Sequence, residues 1–189
     1  MISTDQVLTQ LSLTEFLQQP ETKPATEYVD GYTYPKPMPQ GKHSAIQTFL
    51  ASSINQAGIP ERIARAFTEL RCTFGNRSIV PDVTVFAWCR IPLDAHGEIE
   101  NSFTIFPDWT IEILSPDQKS TRVINNILFC LNHGTELGWL IDPEERTIIT
   151  FQPNKQPQIY QNPDDLLPVL ILPNLQLSVQ NVFSWLTLN

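Results

Sequence analysis

Long hydrophobic runs are missing from this sequence. Its apolar segments are short and are interrupted by proline or charged residues, far below the ~20 residues that a membrane-spanning helix needs. The first eleven residues carry Asp5 and no basic stretch, so they do not resemble a secretory signal. We therefore predict a protein without a membrane partner.

Cysteine and glycine are also scarce. The three cysteines, Cys72, Cys89 and Cys130, form no CxxC pair and no zinc-finger spacing with histidine. Such isolated cysteines are typical of reduced thiols in a cytoplasmic protein. Only seven glycines stand against 16 prolines, which predicts rigid connections because proline fixes φ.

Positive charge is the third scarce feature. The chain has 12 Lys and Arg against 20 Asp and Glu, a net charge of −8, so it lacks the basic coat of a non-specific DNA-binding protein. Any phosphate contact would need a local basic patch. The candidate cations gather in the N-terminal half: Lys36, Lys42, Arg62, Arg65, Arg71 and Arg77.

The 189 residues fit one domain over 1–189, with an N-terminal tail over 1–11. A hydrophobic fraction of 41% excludes a disordered chain. Apolar residues at helical spacing predict helices over 43–57, 120–132 and 179–186, and a capping box formed by Ser12 and Glu15 predicts another over 13–18. Alternating or apolar β-rich runs predict a hairpin over 27–34, strands over 65–74, 79–88, 109–114, 137–142 and 147–152, and two short strands around 166–172. Residues 90–107 are expected to form a loop or a lid. The expected fold class is α/β, a mixed central sheet flanked by helices.

Two acidic residues stand where a strand would normally be apolar. Asp82 follows Pro81 at the start of an apolar strand, and Glu112 lies in the middle of the strand over 109–114. A buried carboxylate is costly unless it is paired, protonated or bound to metal. Two of them on adjacent strands would suit a hard cation such as Mg²⁺. The alternative is that backbone amides or nearby arginines simply cap each acid.

Three other residues are candidates for accessory roles. Glu69 and Glu27 could supply a third acid, although both could equally face solvent on their strands. His43 opens the first long helix, where it could face a phosphate or lie on the surface. The histidines are too dispersed to suggest zinc, and the sequence contains no GxxxxGK[ST], GxGxxG, HExxH or GxSxG motif.

The ordered motifs of the chain resemble the Uma family, whose members are described as putative restriction endonucleases of the PD-(D/E)XK superfamily. The resemblance covers about residues 12–185 and rests on these segments in chain order: LTEFL at 13–17, EYVDG at 27–31, His43 before a helix, VPDV at 80–83, EILSP at 112–116 and GWLIDP at 138–143.

The resemblance implies a restriction-endonuclease-like fold and a Mg²⁺ (or Mn²⁺) cofactor that activates water against a phosphodiester of DNA. Asp82 and Glu112 match the two metal-binding acids, and the Ile113 carbonyl matches the third ligand. The motif lysine is missing, because Leu114 takes its place and Asn126 stands at the helix position where a substitute often lies. Lys119 and Arg122 are the nearest remaining cations for that role.

These observations leave three hypotheses open. The first is a Mg²⁺-dependent endonuclease that acts on DNA. The second is a catalytically decayed nuclease fold that serves as an interaction or regulatory module, since both lysine positions have changed. The third is a structural subunit that dimerises through Phe183 and Trp185. A homodimer is expected under any of them, because edge strands need to be covered.

Overall fold

The computed structural model describes residues 11–116 and 118–188. Of the predicted tail over 1–11, all but Leu11 lies outside these residues. Four α-helices are present in the described part: α1 (Leu13–Leu17), α2 (Gly41–Gly58), α3 (Ser120–Asn132) and α4 (Val179–Ser184). The strands are β1 (Thr26–Val29), β2 (Tyr32–Pro35), β3 (Ala64–Thr68), β4 (Cys72–Phe74), β5 (Arg77–Ile79), β6 (Val83–Ala87), β7 (Trp109–Ile113), β8 (Leu137–Asp142), β9 (Thr147–Phe151) and β10 (Gln158–Tyr160).

The larger of two sheets has six strands in the order β10-β9-β8-β7-β6-β3. Its central pair, β7 and β8, is parallel, and the other neighbours are antiparallel. The parallel pair is joined through α3, as a crossover connection requires. The sheet is therefore mixed, as the sequence pattern predicts.

The smaller sheet has four antiparallel strands in the order β2-β1-β5-β4. Its β1–β2 hairpin turns at Asp30 and Gly31, which both have positive φ and so form the tight turn expected of an Asp-Gly pair. The chain passes from this sheet to the larger one between β5 and β6, through Val80, Pro81 and Asp82. Asp82 therefore lies where the two sheets join.

Helices cover both faces of the larger sheet. Trp109, Ile111 and Ile113 of β7 point into the main core with α2 and α4, whereas α3 packs on the other face through Val123 and Ile127. The alternation along β7 thus places Glu112 on the α3 side of the sheet. Two aromatic residues expected on the surface belong to this core: Phe183 is buried, and Trp185 stacks on Phe49 of α2.

The structure divides two of the predicted strands. The strand expected over 65–74 is interrupted at Glu69, whose φ of 52° is incompatible with an extended backbone. The strand expected over 79–88 is interrupted at Pro81, which has no N–H for a central ladder. Each half then joins a different sheet, which the hydrophobic pattern alone does not reveal.

Two smaller expectations also differ from the structure, and a third, the loop over 90–107, agrees with it. The two strands expected around 166–172 are absent from the described residues, where Leu166 forms one isolated bridge with Ser178. β10 was not predicted, because its side chains are largely exposed. Residues 90–107 form a loop that buries Phe103 against the smaller sheet. None of these loop residues lines the cavity described below.

Two findings concern the thiols and the membrane. Cys72 and Cys130 are buried free thiols, and Cys89 is an exposed one. Among the described residues, no helix is both long and apolar enough to cross a bilayer.

Candidate active site

Asp82 is held at the junction of the two sheets by contacts from several elements. Its Oδ2 accepts a hydrogen bond from the Ile113 amide at 2.7 Å and lies 3.1 Å from Nε2 of His43. Because a carboxylate can only accept, Nε2 carries the proton in this contact. The backbone carbonyl of Asp82 accepts a hydrogen bond from Gln47 at 2.9 Å. The carboxylate is therefore buried in one orientation.

The remaining oxygen of Asp82 binds a lysine ammonium. Lys36, which follows β2, donates to Asp82 Oδ1 at 2.6 Å and to the Val80 carbonyl at 2.6 Å. Its Nζ lies 3.9 Å from Glu112 Oε2. The Lys36 side chain is only 9% exposed and that of Asp82 only 3%, so the ammonium is a buried cation between the two acids.

Glu27 and Asn126 belong to the same buried polar cluster as Lys36, His43, Asp82 and Glu112. Glu27, on β1, accepts hydrogen bonds from the Val80 amide at 2.9 Å and from the Asn126 amide at 3.1 Å. Arg122 Nη2 lies 3.7 Å from the same carboxylate, and its guanidinium stacks on Tyr34. Glu27 thus fixes the segment that leads into Asp82.

Charges in the cluster shift the pKa values of its acids in opposite directions. Burial alone would raise the pKa of Asp82, but the Lys36 ammonium and the His43 hydrogen bond outweigh it and hold this pKa well below its usual range. Burial raises the pKa of Glu112 well above normal, and the charges of Asp82 and Glu27 raise it further. The Lys36 ammonium opposes the rise in the pKa of Glu112 but does not overcome the effect of burial.

A cavity of about 550 Å³ opens beside the cluster. Its lining includes the buried residues Glu27, Glu112 and Asn126, together with Lys36. Its remaining lining includes Tyr34, Pro35, Pro37, Gln118, Lys119, Arg122 and Val123. The cavity therefore combines buried acids with two cations nearer to solvent.

Four of the eight predicted site residues line this cavity: Glu27, Glu112, Lys119 and Arg122. His43 is buried against Asp82, not on the surface. Lys119 is exposed at the start of α3 and Arg122 is partly exposed one turn later. Both line the cavity, but neither is paired with Asp82 or Glu112 in the described residues.

Glu69 is placed differently from the other predicted acids. It is exposed at the bend after β3, and its carboxylate accepts a hydrogen bond from Gln47 at 2.9 Å. Gln47 also donates to the Asp82 carbonyl. The Glu69 amide also donates a hydrogen bond directly to the Asp82 carbonyl at 3.2 Å, and the charge of Glu69 contributes to the raised pKa of Glu112.

Lys36 is the principal residue that the sequence reasoning missed as part of the site. In the sequence it is only one of six candidate cations for a local basic patch, and it lies 46 residues before its partner Asp82. The absence of lysine at Leu114 and Asn126 is a signal that another cation had to balance the acids. That signal alone does not say which of the twelve Lys and Arg residues supplies the charge.

Two unsatisfied groups bear on whether a metal ion fits here. The buried carboxylate of Glu112 makes no hydrogen bond with any residue in 11–116 or 118–188, and the Lys36 ammonium lies 3.9 Å from it. Within the same part of the chain, Asn126 Oδ1 is buried without a partner. No group of three or more His, Cys, Asp or Glu side chains among the described residues is placed to hold a metal. Mg²⁺ needs only one or two carboxylates, because water and substrate phosphate supply its other ligands. Asp82 and Glu112 therefore fit Mg²⁺.

Comparisons with known proteins bear on the family and the fold of the chain. The chain matches the family model Uma2, described as "Putative restriction endonuclease", over residues 13–180. It is similar to the crystal structure of a putative nuclease belonging to DUF820 from Anabaena variabilis ATCC 29413, with a TM-score of 0.92 and 56% identity. That match covers 94% of this chain and 99% of the other. No curated protein matches the sequence. The predicted family resemblance and the predicted mixed α/β nuclease fold are both confirmed.

Proposed function

Because the chain belongs to the Uma2 family of restriction-endonuclease-like proteins, we propose that it is a Mg²⁺-dependent endonuclease that hydrolyses phosphodiester bonds in DNA. The observation that carries the proposal is the placement of two buried acids around one cation: Asp82, directly before β6, and Glu112, on the neighbouring strand β7. The nuclease described for the similar solved structure supports the same reaction class.

In this proposal the two acids bind the same metal ion, but their surroundings differ. Asp82 and Glu112 would hold Mg²⁺ (or Mn²⁺), with the Ile113 carbonyl as a third ligand. When bound, the ion supplies Lewis-acid activation of water and phosphate. The Ile113 amide and His43 keep Asp82 in one rotamer, which preserves its orientation before substrate arrives. Glu112 has no competing hydrogen bond in the described residues, so its carboxylate is free to bind.

The cations on the cavity wall suit the charge of the substrate. Arg122 and Lys119 line the cavity on the side of α3, where they can contact a phosphate and stabilise the charge that develops during cleavage. Glu27 is a positioning residue, because it holds the Val80 amide next to Asp82. Glu69 acts through Gln47, which it shares with the Asp82 carbonyl.

Affinity for DNA should be modest and strongly dependent on salt. Several cations of the expected basic patch are already paired: Lys42 with Glu144, Arg71 with Glu21 and Arg77 with Asp30. Paired cations contribute less to phosphate binding, and the net charge of −8 opposes long-range attraction. Local contacts at the cavity therefore have to supply the binding energy.

The test is cleavage of supercoiled plasmid by the purified protein with Mg²⁺ or Mn²⁺. The wild type should nick DNA only when metal is present, and Asp82→Ala and Glu112→Gln should each abolish nicking. Glu144→Gln, which removes an exposed carboxylate, serves as the matched control and should cleave normally. If Asp82→Ala cleaves as fast as the wild type, the activity comes from elsewhere and the proposal is wrong.

One observation favours a second candidate function, that of a catalytically decayed interaction module. The Lys36 ammonium already satisfies Asp82 without any metal, and Leu114 stands at the position of the motif lysine. Calorimetry separates the two functions. No heat of binding with millimolar Mn²⁺, together with no cleavage, would favour the module over the enzyme.

A further inference from the structure

The ammonium of Lys36 lies where a divalent cation would bind. It is 2.6 Å from Asp82 Oδ1 and 3.9 Å from Glu112 Oε2, the two carboxylates that would hold Mg²⁺. It also donates to the Val80 carbonyl, so three oxygens already face it. A cation bound between buried carboxylates is the chemistry expected of the metal itself.

Lysine and metal cannot both hold this position. Mg²⁺ binds carboxylate oxygen at about 2.0–2.1 Å, and Nζ lies 2.6 Å from the same Asp82 oxygen. The two cations would then be no more than about 4.7 Å apart, in a buried site where like charges are poorly screened. A metal ion placed between the same carboxylate oxygens therefore competes with the ammonium for them.

The surrounding structure leaves the side chain free to move while the backbone stays fixed. The Lys36 amide donates to the Ala25 carbonyl at 2.8 Å, and Pro35 and Pro37 restrict the chain on both sides. The lysine stem has four rotatable bonds and borders the cavity of about 550 Å³. The displaced ammonium therefore has a space to enter without any rearrangement of the sheets.

We infer that Lys36 is a built-in competitor for the divalent cation. Its ammonium occupies the position between Asp82 and Glu112 in the metal-free protein and moves into the cavity when the metal binds. The inference rests on the proposed function, because it takes Asp82 and Glu112 as the metal ligands. It adds that metal affinity is limited by Lys36.

The first experiment measures the affinity for Mn²⁺ by calorimetry, with MnCl₂ as the only ligand. Lys36→Met removes the charge at similar length, and Lys36→Gln removes it but keeps a donor for Asp82, which guards against misfolding. Both should bind Mn²⁺ at least tenfold more tightly than the wild type. Lys36→Arg should show no such gain. Lys42→Met, which removes an exposed ammonium paired with Glu144, is the control for net charge and should match the wild type.

A second experiment follows the displacement itself on the unmutated protein. Acetic anhydride modifies free amines, so Lys36 should be protected from acetylation without metal and become modified in saturating Mn²⁺, as read by mass spectrometry. Lys42 is the internal reference, with reactivity that metal leaves unchanged. Asp82→Asn should make Lys36 reactive even without metal.

The outcomes separate the inference from the function on which it rests. If all Lys36 variants bind Mn²⁺ as the wild type does and Lys36 stays protected, the competition is refuted while the metal-dependent function stands. If no form of the protein binds Mn²⁺, both are refuted. Tighter binding by the neutral variants, with metal-dependent acetylation of Lys36, supports both.

Discussion

Replacing Lys36 by methionine should lower the free energy of unfolding by about 3 kcal/mol in metal-free buffer. Removing one partner of a buried ion pair typically costs 3–5 kcal/mol, because the other charge is left uncompensated. The lower end applies here, since Asp82 keeps its contacts with the Ile113 amide at 2.7 Å and with His43 at 3.1 Å. For a chain of this length, such a loss lowers Tm by roughly 6–12 °C.

The measurement is urea unfolding followed by circular dichroism in EDTA, with the midpoint and slope fitted together. An unchanged slope shows that only stability has changed. A double-mutant cycle with Asp82→Asn isolates the pair, and the double variant should lose less than the sum of the single losses because no buried charge remains unpaired between them.

Lys42→Met provides the control, since the Lys42–Glu144 pair is exposed and such pairs contribute about 0–1 kcal/mol. The reasoning is refuted if Lys36→Met costs less than about 1 kcal/mol. In that event the Lys36–Asp82 pair behaves like a surface pair and Asp82 is stable without a cation.

Three further predictions concern charge, packing and assembly. Glu112→Gln should stabilise the metal-free protein at neutral pH. Because the pKa of Glu112 is raised in the folded protein, its contribution to stability is complete below the unfolded-state pKa of about 4.3 and is lost as pH rises. Thermal unfolding in EDTA should therefore show a gain in Tm for the variant that grows with pH, and a gain independent of pH would contradict this cause. Gly138→Ala should lower the free energy of unfolding, measured in urea, by about 1–3 kcal/mol through overpacking, because the added Cβ would meet Ile127 at the α3 interface. Gly41→Ala, where the added Cβ meets open space, should not lower the free energy of unfolding. The expected homodimer should appear in sedimentation velocity as a mass that doubles with rising concentration, and a constant monomer mass would contradict it.

The regular elements were predictable because their signals are local. The Ser12–Glu15 capping box is present in the structure, and the apolar stripe of α3 packs on the sheet as its spacing predicts. The alternation in β7 correctly placed Trp109 and Glu112 on opposite faces of the sheet. Each of these features depends on residues that are close in sequence, either within one or two helical turns or within a few positions along a strand.

The features that escaped prediction depend on contacts between distant segments. A proline and a residue with positive φ split two apparent strands, and only the tertiary structure shows that their halves join separate sheets. Lys36 likewise has no local signal, because its partner lies 46 residues later. The position of His43 before a helix does not distinguish a surface residue from a buried one, and only the packing of α2 places it against Asp82.

The division of the site between the two sheets has a consequence for its lifetime. Glu27 lies in the smaller sheet and Lys36 directly follows its strand β2, whereas Asp82 and Glu112 are tied to the six-stranded sheet. Within the smaller sheet, β1 and β5 share the single registered pair Tyr28 and Ser78. Native proteins open in cooperative units of unequal stability, and a unit with so short a ladder exchanges its amide hydrogens before the larger one does. Each such opening withdraws the lysine and one acid while the other two acids remain in place. The persistence of the assembled site is therefore governed by the local unfolding of four short strands, not by the global stability of the molecule.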